Sequence, residues 1–501
     1  MSASNQLTSV RLTRRSALRL AGAALALPLL PACAAAPAAP TAVPPTAVPK
    51  PTTAPVPAAP TQAAASASTA APAAAASKPA VAAAAPSTGT TSANLTILMW
   101  DDVKHVTTVK NILTDLKQKE PNLNVEVQTL PGSERRTKQK LLVTAGTPPD
   151  ASVLCCGDVA EYGELGLLLK LDPFLKKDNV DKAIYFEGPY WEGLFDANTK
   201  YLGAGDLLAL PVNFVFTIYY YNKNMLAKAG VKEPDYNWKW EDLLSMAQKL
   251  TVDKNGKNPT EAGFDKANVA QYGYFMEWND YDWVIGAGGR WMTPENKVVI
   301  NSPENVKGYQ FLADMIHKHN VMPTKKTGPE IGLFPTGKNI AIYKAGSWNY
   351  TTWRTQLKDF DWDVAPVPIG PLGKRVAYGG SNQFGSWKGV KNPDASWVVV
   401  KTLAAPDMTL KHWGSQGIPS VKTSASSPDW PKIANYSERM AKISSEAGGY
   451  IQSTDPNIRS SEWKAALSKE LDLVWEGSAQ VPDALKKAQE QVEKVMARPS
   501  A

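Results

Sequence analysis

The sequence predicts an α/β fold in which helices cover a largely parallel sheet. The first observation is a run of strand-forming residues at 211–223, which almost no charge interrupts. A strand of this composition is buried on both faces, as in a sheet with helices on either side. The second observation is that strand and helix patterns alternate before and after this run. We expect the run to carry the chain from one α/β lobe into a second.

Composition limits the size and the class of the protein. Residues 94–498 are enough for two or three domains by size alone. The formal net charge is +7, but four arginines lie before Cys33 and the rest of the chain is close to balanced. No basic face stands out, so nucleic acid is not expected as a partner. Three cysteines are too few for a disulfide scaffold, and the four histidines are scattered, so we expect neither a metal site nor a cofactor.

Residues 1–33 have the composition of an export signal. The paired Arg14 and Arg15 resemble a twin-arginine signal, and an ordinary secretory signal is the alternative. The apolar run 18–30 is too short for a stable transmembrane helix and is followed by proline. The sequence Leu-Pro-Ala-Cys that ends at Cys33 resembles a lipobox, in which the cysteine is lipidated; a stray cysteine after an ordinary cleavage site is the alternative.

Residues 34–93 are almost wholly Ala, Pro, Thr, Ser and Val. They lack any core-forming periodicity, so we expect a disordered tether with some polyproline II structure. As a coil, such a segment spans roughly 45 Å. A tether of this kind makes sense if one end is fixed to a membrane. We therefore expect an exported protein, lipid-anchored to the outer face of the cytoplasmic membrane.

The first globular segment shows a β-α-β-α-β order, which indicates parallel strands with covering helices. The predicted strands are 95–100, 123–130 and 151–156, and the predicted helices are 103–119, 136–145 and 159–166. Ligands in such sheets lie beyond the carboxyl ends of the strands. The candidate residues at these ends are Trp100 and Asp101, Asp158 behind Cys155 and Cys156, and Asn213 at the start of the crossing strand.

Helix and strand patterns continue after the crossing strand. The predicted helices are 224–230, 240–250, 281–287, 306–317, 393–404, 462–475 and 483–496, and the predicted strands are 272–278 and 340–344. The proline-bounded segment 362–368 is a candidate second crossing, and 417–419 is a candidate third. The glycine-rich segment 286–291 lacks the Gly-Lys-Ser/Thr of a phosphate loop, so we interpret it as a bend.

A series of short motifs runs in order along the globular part. They are 146–150 (GTPPD), 163–171, 210–211 (LP) with 220–223 (YYNK), 229–230, 238–250, 334 with 337–338, 346–348 (GSW), 366–373, 391–403 and 417–419 (GIP). With these motifs behind a lipobox and a tether, the chain resembles a family 1 extracellular solute-binding protein of an ABC importer. The resemblance implies a two-lobe clamshell of the type II periplasmic-binding-protein fold with three hinge crossovers. It also implies a ligand in the cleft and docking on a membrane permease. We expect 94–212 and 366–416 in the amino-terminal lobe, and 213–365 and 417–498 in the other.

Similarity to maltose-type binders implies further ligand contacts. The residues at the matching positions are Trp348, Trp278 with Glu277 beside it, Trp463 with Arg459 nearby, and Asp101 and Asp158 at strand ends; we add Trp100, Asn213 and Ser381. For each tryptophan the alternative is packing in the core. Cys155 and Cys156 stand where maltose binders carry an aromatic residue. Two buried thiols are favoured there over a disulfide, which would close a strained ring.

The expected ligand is a mono- or oligosaccharide, because Trp offers a broad apolar face to the sugar ring and polar side chains bind its hydroxyls. A polyamine or an organophosphate such as glycerol phosphate is the alternative, and it predicts acidic or cationic clusters in place of aromatic stacking. A secreted glycosidase needs two carboxylates roughly 5–10 Å apart across a bond. Carboxylates are abundant, but no nucleophile–base signature is present, so we expect a monomeric binding protein and not an enzyme.

Overall fold

The computed structural model describes most of the chain beyond the predicted tether. The described residues are 92–185, 207–277, 280–293, 295–331, 334, 339–453 and 459–498. Cys33, Trp278, the predicted signal peptide and most of the predicted tether lie outside them. All described residues belong to one unit of the chain, Ala85–Ala501. Within these residues, no helix has both the length and the apolar character needed to cross a membrane.

Strands form the centre of this unit. They are β1 (Ala93–Trp100), β2 (Leu123–Leu130), β3 (Ala151–Leu154), β4 (Ala209–Asn222), β5 (Val252–Asp253), β6 (Val269–Met276), β7 (Ile340–Gly346), β8 (Trp362–Ala365), β9 (Ala377–Gly385), β10 (Ile418–Pro419) and β11 (Ile451–Gln452). Their hydrogen-bonded order is β2-β1-β3-β9-β4-β7-β6-β5, with β8 and β10 also on β4 and β11 on β9. β1 pairs in parallel with β2 and β3, as the sequence predicts for this segment. The expectation of a largely parallel sheet is wrong for the centre, because β9 pairs antiparallel with β3 and β4, and β4 pairs antiparallel with β7 and β8.

Helices connect these strands. They are α1 (Val103–Lys119), α2 (Gly132–Thr144), α3 (Asp158–Glu164), α4 (Asp172–Lys177), α5 (Lys223–Lys228), α6 (Trp240–Leu250), α7 (Tyr281–Gly286), α8 (Pro303–His317), α9 (Gly328–Ile331), α10 (Tyr350–Gln356), α11 (Pro393–Leu403), α12 (Pro406–Lys411), α13 (Lys422–Ala425), α14 (Trp430–Ile433), α15 (Glu438–Glu446), α16 (Ser460–Trp475) and α17 (Val481–Met496). α1, α6, α8, α11, α16 and α17 lie within three residues of their predicted bounds, whereas α2 begins four residues before its predicted start at 136. α1 begins where the Asp102 side chain accepts a hydrogen bond from the His105 N–H, at 2.8 Å, and thereby caps the helix.

The predicted crossing strand is confirmed as β4, which is buried along nearly its whole length. Its first residues, including Val212, belong to a smaller core that also contains Ile97. From Phe214 onward, its residues belong to a larger core that also contains Trp475. β4 pairs with β9 in its first half and with β7 and β8 in its second. One strand therefore contributes to both cores, so it can act as a hinge.

β9 is a second strand that enters both cores, with Ala377 in the larger and Phe384 in the smaller. Its sequence pattern does not predict a strand. The segment 362–368, which we expected to be the second crossing, instead forms β8 and lies in the larger core with Val364 and Val367. β10 pairs with β4 opposite Asn213, at the segment that we expected to be the third crossing.

Candidate functional site

Trp100 and Asp101 lie at the carboxyl end of β1, where the sequence analysis places candidate residues. The Trp100 ring is half-buried and meets the His105 ring edge-on, with 5.4 Å between centroids. The Arg135 guanidinium lies 5.5 Å from the centre of the Trp100 ring. Asp101 is exposed, and its N–H donates to the Leu130 carbonyl at 3.0 Å. This strand end therefore presents an aromatic face and a carboxylate next to each other.

Asp158 begins α3 beyond the end of β3, and its carboxylate is buried. Its oxygens lie 2.7 Å from Arg135 Nη2 and 2.7 Å from Arg136 Nε. One of them also accepts the Cys155 N–H at 3.0 Å. Both oxygens are thus bonded within the protein, and the carboxylate orients two arginines toward the strand end. Those arginines were not among the predicted site residues, although a charged pair beginning a helix behind a strand was visible in the sequence.

Cys155 and Cys156 are free thiols whose sulfur atoms lie 2.9 Å apart. Cys156 is exposed and Cys155 is partly buried, so the expectation of two buried thiols is wrong. Hydrogen bonding with Cys155 and the positive charges of Arg136 and Lys464 lower the pKa of Cys156 to about 6, against the opposing effects of desolvation and Asp158. The same hydrogen bond and burial raise the pKa of Cys155. The pair therefore combines an accessible thiolate with a protonated thiol.

Lys464 and Tyr378 bring elements of the larger core beside this thiol pair. The ammonium of Lys464 lies 5.4 Å from the Trp463 ring centre and 6.0 Å from that of Trp291. Burial lowers the pKa of Lys464, while the charge of Cys156 opposes that shift. Burial is also the main cause that raises the pKa of Tyr378, and the charge of Cys156 contributes. The first turn of α16 thus faces the end of β3.

A direct polar contact joins these same elements. The buried carboxylate of Glu161, on α3, accepts hydrogen bonds from Ser460 Oγ at 3.1 Å and Ser461 Oγ at 3.4 Å, both on α16. Lys140 forms an ion pair with the same carboxylate. These hydrogen bonds hold the start of α16 against α3, next to the end of β3.

The structure gives Trp463 and Arg459 packing roles in this region. Trp463 is completely buried and meets Trp291 edge-on, with 5.4 Å between ring centroids. Arg459 Nη1 donates to the Val495 carbonyl at 3.3 Å and to the Arg498 carbonyl at 2.8 Å. These contacts tie the start of α16 to the end of α17.

Glu277, directly after β6, lies beside the end of β7 that precedes Trp348. One Glu277 oxygen accepts the Asn349 side-chain amide at 2.7 Å, and the other accepts the Gly346 N–H at 3.4 Å. Burial raises the pKa of Glu277, and these two hydrogen bonds oppose the rise. Trp348 is half-buried and lies over Gly346, where a Cβ atom would be only 2.1 Å from the indole. Only glycine at position 346 leaves room for this ring.

Asn213 and Ser381 lie on the paired strands β4 and β9, where Asn213 pairs with Asn382 and Ser381 pairs with Phe214. Asn382 Nδ2 donates to Asn213 Oδ1 at 2.9 Å, and Ser381 Oγ accepts from Gln383 Nε2 at 2.7 Å. The Asn213 amide nitrogen is buried without a hydrogen-bond partner among the described residues. A buried amide in this state has a donor available for a water molecule or a ligand.

Lys104 links the Trp100 and Trp348 regions. Its ammonium donates to the Thr351 hydroxyl and, at 2.9 Å, to the Ser415 carbonyl. Burial lowers the pKa of Lys104 to about 8. Lys104 follows Trp100 by four residues and Thr351 follows Trp348 by three. The two half-buried tryptophans therefore lie on segments that touch each other.

A buried ion pair joins β7 and α7, and the sequence reasoning does not predict it. Lys344 Nζ lies 2.5 Å from Asp282, which also accepts the Thr217 hydroxyl at 2.7 Å and the Tyr378 N–H at 2.6 Å. These contacts tie β4, β7, β9 and α7 together beside the hinge. A lysine inside the apolar run of β7 was the available signal, because a buried charge requires a partner. Among the described residues, no group of three or more metal-ligating side chains is present.

Comparison with known proteins gives a family and a fold. A family model described as bacterial extracellular solute-binding protein matches residues 103–409. The structure aligns with an ABC substrate-binding protein from Listeria monocytogenes, solved in complex with cycloalternan, at a TM-score of 0.69 and 20% sequence identity. The alignment covers 82% of this chain and 100% of that one. The predicted α/β clamshell of the type II periplasmic-binding-protein fold is thereby confirmed.

Two sequence relatives carry different ligand names. A maltotriose-binding protein from Pyrococcus abyssi is 22% identical over 309 residues, which cover 58% of each chain. An sn-glycerol-3-phosphate-binding periplasmic protein from Brucella abortus is 29% identical over 136 residues, which cover 27% of this chain and 30% of that one.

Proposed function

Since this chain belongs to the family of bacterial extracellular solute-binding proteins, we propose that it captures a mono- or oligosaccharide between its two lobes. It delivers this ligand to the membrane permease of an ABC importer and does not catalyse a reaction on it. We propose that the amino-terminal lobe comprises 94–212 and 366–416, and the other lobe 213–365 and 417–498. Among the described core residues, four depart from this division: Val367, Val376 and Ala377 pack in the larger core, and Val421 packs in the smaller one.

The observation that carries this proposal is the bridge from Lys104 to Thr351, which joins the Trp100 and Trp348 segments. Each tryptophan is half-buried, so its side chain is held in place while part of it stays accessible to solvent. The exposed Asp101 follows Trp100 in the chain, and Glu277 accepts the N–H of Gly346, the residue over which Trp348 lies. Aromatic faces with fixed polar groups at their edges suit the C–H face and the hydroxyl rim of a sugar.

The remaining candidate contacts differ in how well their surroundings suit a ligand. Asn213 has an amide donor without a protein partner among the described residues, so we propose it as a hydroxyl contact. Ser381 and Trp278 stay in the proposed site on the basis of the resemblance alone. Asp158, Arg459 and Trp463 have packing or positioning roles, and we propose that they act on the ligand only indirectly.

An organophosphate such as glycerol phosphate is the second candidate ligand. The observation that favours it is the positive charge of Arg136 and Lys464 beside the exposed Cys156. Charge-assisted hydrogen bonds from such groups are the usual means of holding a phosphate. The ion pair of Arg136 with Asp158 offsets part of that charge, so the aromatic surfaces favour the neutral sugar.

A thermal-shift screen of the protein against mono- and oligosaccharides, polyamines and glycerol phosphates tests the ligand class. A ligand at 100 times its dissociation constant adds roughly 2.7 kcal/mol to the free energy of unfolding, which raises Tm measurably. We expect a rise with one class of sugar. A rise in Tm only with a phosphate ester would contradict the sugar and support the organophosphate. A rise in Tm only with a polyamine would contradict both candidate ligands.

We further propose that Cys33 is lipidated and that 34–93 tethers the binding unit to the membrane. The Cys33→Ser variant should appear in the soluble periplasmic or culture fraction, because the anchor is lost while the export signal remains. Immunoblots of membrane and soluble fractions measure this, with the wild-type protein as the control. Retention of the variant in the membrane fraction would rule out the anchor.

A further inference from the structure

We propose that Cys155 and Cys156 form a thiol–disulfide exchange site at the edge of the cleft, in which disulfide compounds outside the cell oxidise the pair to a reversible disulfide between the two neighbours. This site is independent of which ligand the cleft binds.

The backbone explains why both sulfur atoms face the same side. Adjacent residues in a regular strand point to opposite faces, but β3 ends at Leu154. Cys156 then has a φ of 58° and Gly157 a φ of 97°, both in the left-handed region. A non-glycine residue adopts that conformation at an energetic cost, so the turn is held by its surroundings. It brings the two sulfur atoms to within 2.9 Å.

The surroundings make the two thiols unequal. Cys156 is exposed and lies beside cationic groups on two elements, Arg136 on α2 and Lys464 on α16. Cys155 is partly buried, with Arg135 Nη2 3.7 Å from its sulfur. The pKa of Cys156 is lowered and that of Cys155 is raised. An accessible thiolate next to a second cysteine is the usual arrangement of a redox-active thiol pair.

The exchange proceeds in two balanced steps. The Cys156 thiolate attacks one sulfur of a disulfide compound; a mixed disulfide forms, and one thiolate leaves. Cys155 then loses its proton, and its sulfur attacks Cys156 Sγ. The bond between the two cysteines forms, and the second thiolate leaves. The protein loses two hydrogen atoms in total, and the disulfide compound is reduced to two thiols.

Covalent geometry makes this bond easy to reverse. Adjacent Cα atoms lie about 3.8 Å apart across a trans peptide, whereas disulfides usually join Cα atoms about 4.4–6.8 Å apart. A bond between neighbours is therefore strained, and strained, exposed disulfides are the readily reduced ones. The pair consequently suits a modification that is made and removed, and is unsuited to a permanent cross-link.

Mass spectrometry after exposure to oxidised glutathione tests the proposal on the full-length protein. Tryptic cleavage gives the peptide 141–170, which contains both cysteines and excludes Cys33. We expect this peptide to lose two hydrogen masses in the wild type and to regain them with excess thiol. A Cys155→Ser variant should stop at the glutathione adduct of Cys156. A Cys156→Ser variant should react at least tenfold more slowly than the wild type.

Three results would overturn the proposal: an unmodified wild-type peptide, a wild-type adduct that never closes the ring, or a Cys156→Ser variant that reacts as fast as the wild type. Circular dichroism melting of each variant controls for folding. A second measurement needs no variant: limiting iodoacetamide should label Cys156 before Cys155 in the reduced wild type. Equal labelling or preferential labelling of Cys155 contradicts the assignment of the two roles.

Discussion

At the scale of single residues, Trp348 and Trp463 differ in burial although the resemblance assigns both to the ligand. Trp463 is enclosed by the larger core, whereas Trp348 is half-buried over Gly346. Only the half-buried ring has a face that a solute can reach. The two residues should therefore respond differently to the same substitution.

Trp348→Ala should weaken sugar binding by at least about 1 kcal/mol, roughly fivefold in Kd, because a stacking surface is lost. The matched control is Trp463→Ala, which should lower the free energy of unfolding by about 3–5 kcal/mol because it leaves a cavity in the core. Calorimetric titration and chemical denaturation measure the two effects. An unchanged Kd in a folded Trp348→Ala protein would exclude Trp348 from the site.

Cys156 should react with iodoacetamide at a rate that follows its thiolate fraction. Since its pKa is about 6, the rate should rise as the pH increases through that value and then level off. For an ordinary cysteine, with a pKa of about 8.5, the rate would instead continue to rise above pH 8. The charged or titratable groups that act on Cys156 are Cys155, Arg136, Asp158, Lys464 and Tyr378.

Arg136→Gln should move this profile to higher pH, because a cation that favours the thiolate is removed. Lys138→Gln is the matched control, since it removes the same charge from an exposed position of α2. Equal profiles for the two variants would show that Arg136 does not control the thiol.

At the scale of elements, β9 is a central strand with an unusual composition. Its sequence is Ala-Tyr-Gly-Gly-Ser-Asn-Gln-Phe-Gly, which lacks the β-branched residues that indicate a strand. Gly379 and Gly385 are needed because β9 lies close against its neighbours at these two positions. A Cβ atom at Gly379 would be 2.6 Å from the Val215 carbonyl oxygen, and one at Gly385 would be 2.8 Å from that of Leu208. Glycine is therefore required at these two positions by the close approach of neighbouring backbones, and not by the preference of side chains for strands.

Gly379→Ala should therefore reduce the free energy of unfolding by about 1–3 kcal/mol, as overpacking in a core does. Gly449→Ala is the control, because nothing lies within 4 Å of the Cβ atom it would add. Urea denaturation of the two variants measures the difference. Similar stabilities would contradict the packing that we describe for β9.

At the scale of the whole molecule, Lys104 joins elements of the two cores. α1 packs on the smaller core through Ile112, and α10 packs in the larger core through Trp353. The hydrogen bond from Lys104 to Thr351 forms only when these elements are close, whereas Ser415 lies on the same side as Lys104, beside Trp413 of the smaller core. The bond to Thr351 should therefore stabilise the closed, ligand-bound arrangement more than an open one.

Lys104→Ala should weaken ligand binding about tenfold, or about 1.4 kcal/mol, because the closed arrangement loses the hydrogen bond to Thr351. Lys110→Ala, at an exposed position of the same helix, should leave Kd unchanged. Calorimetric titration with the ligand found by thermal shift measures both. Small-angle scattering should also show the Lys104→Ala protein less compact at subsaturating ligand. Equal affinities in the two variants would mean that Lys104 is not a closure contact.

Much of the fold can be predicted from patterns of neighbouring residues in the sequence. The first three strands, β4 and the long helices appear in the sequence because apolar periodicity and strand-forming runs are properties of neighbouring positions. For the candidate site, the sequence predicts only part of the arrangement: Trp100, Asp101, Glu277 and Trp348 lie at or just beyond strand ends, as expected. Arg459 and Trp463 instead pack within the protein, because their surroundings come from α17 and from Trp291.

The sequence by itself determined the α/β class, the crossing strand and the family, since each depends on local patterns and on short motifs in order. Tertiary structure alone decided that β9 is a strand, that Lys344 pairs with Asp282, and that Cys156 is exposed between Arg136 and Lys464. Each of these depends on residues far apart in the chain. Their burial and charge are set by packing between elements, and no local pattern records that packing.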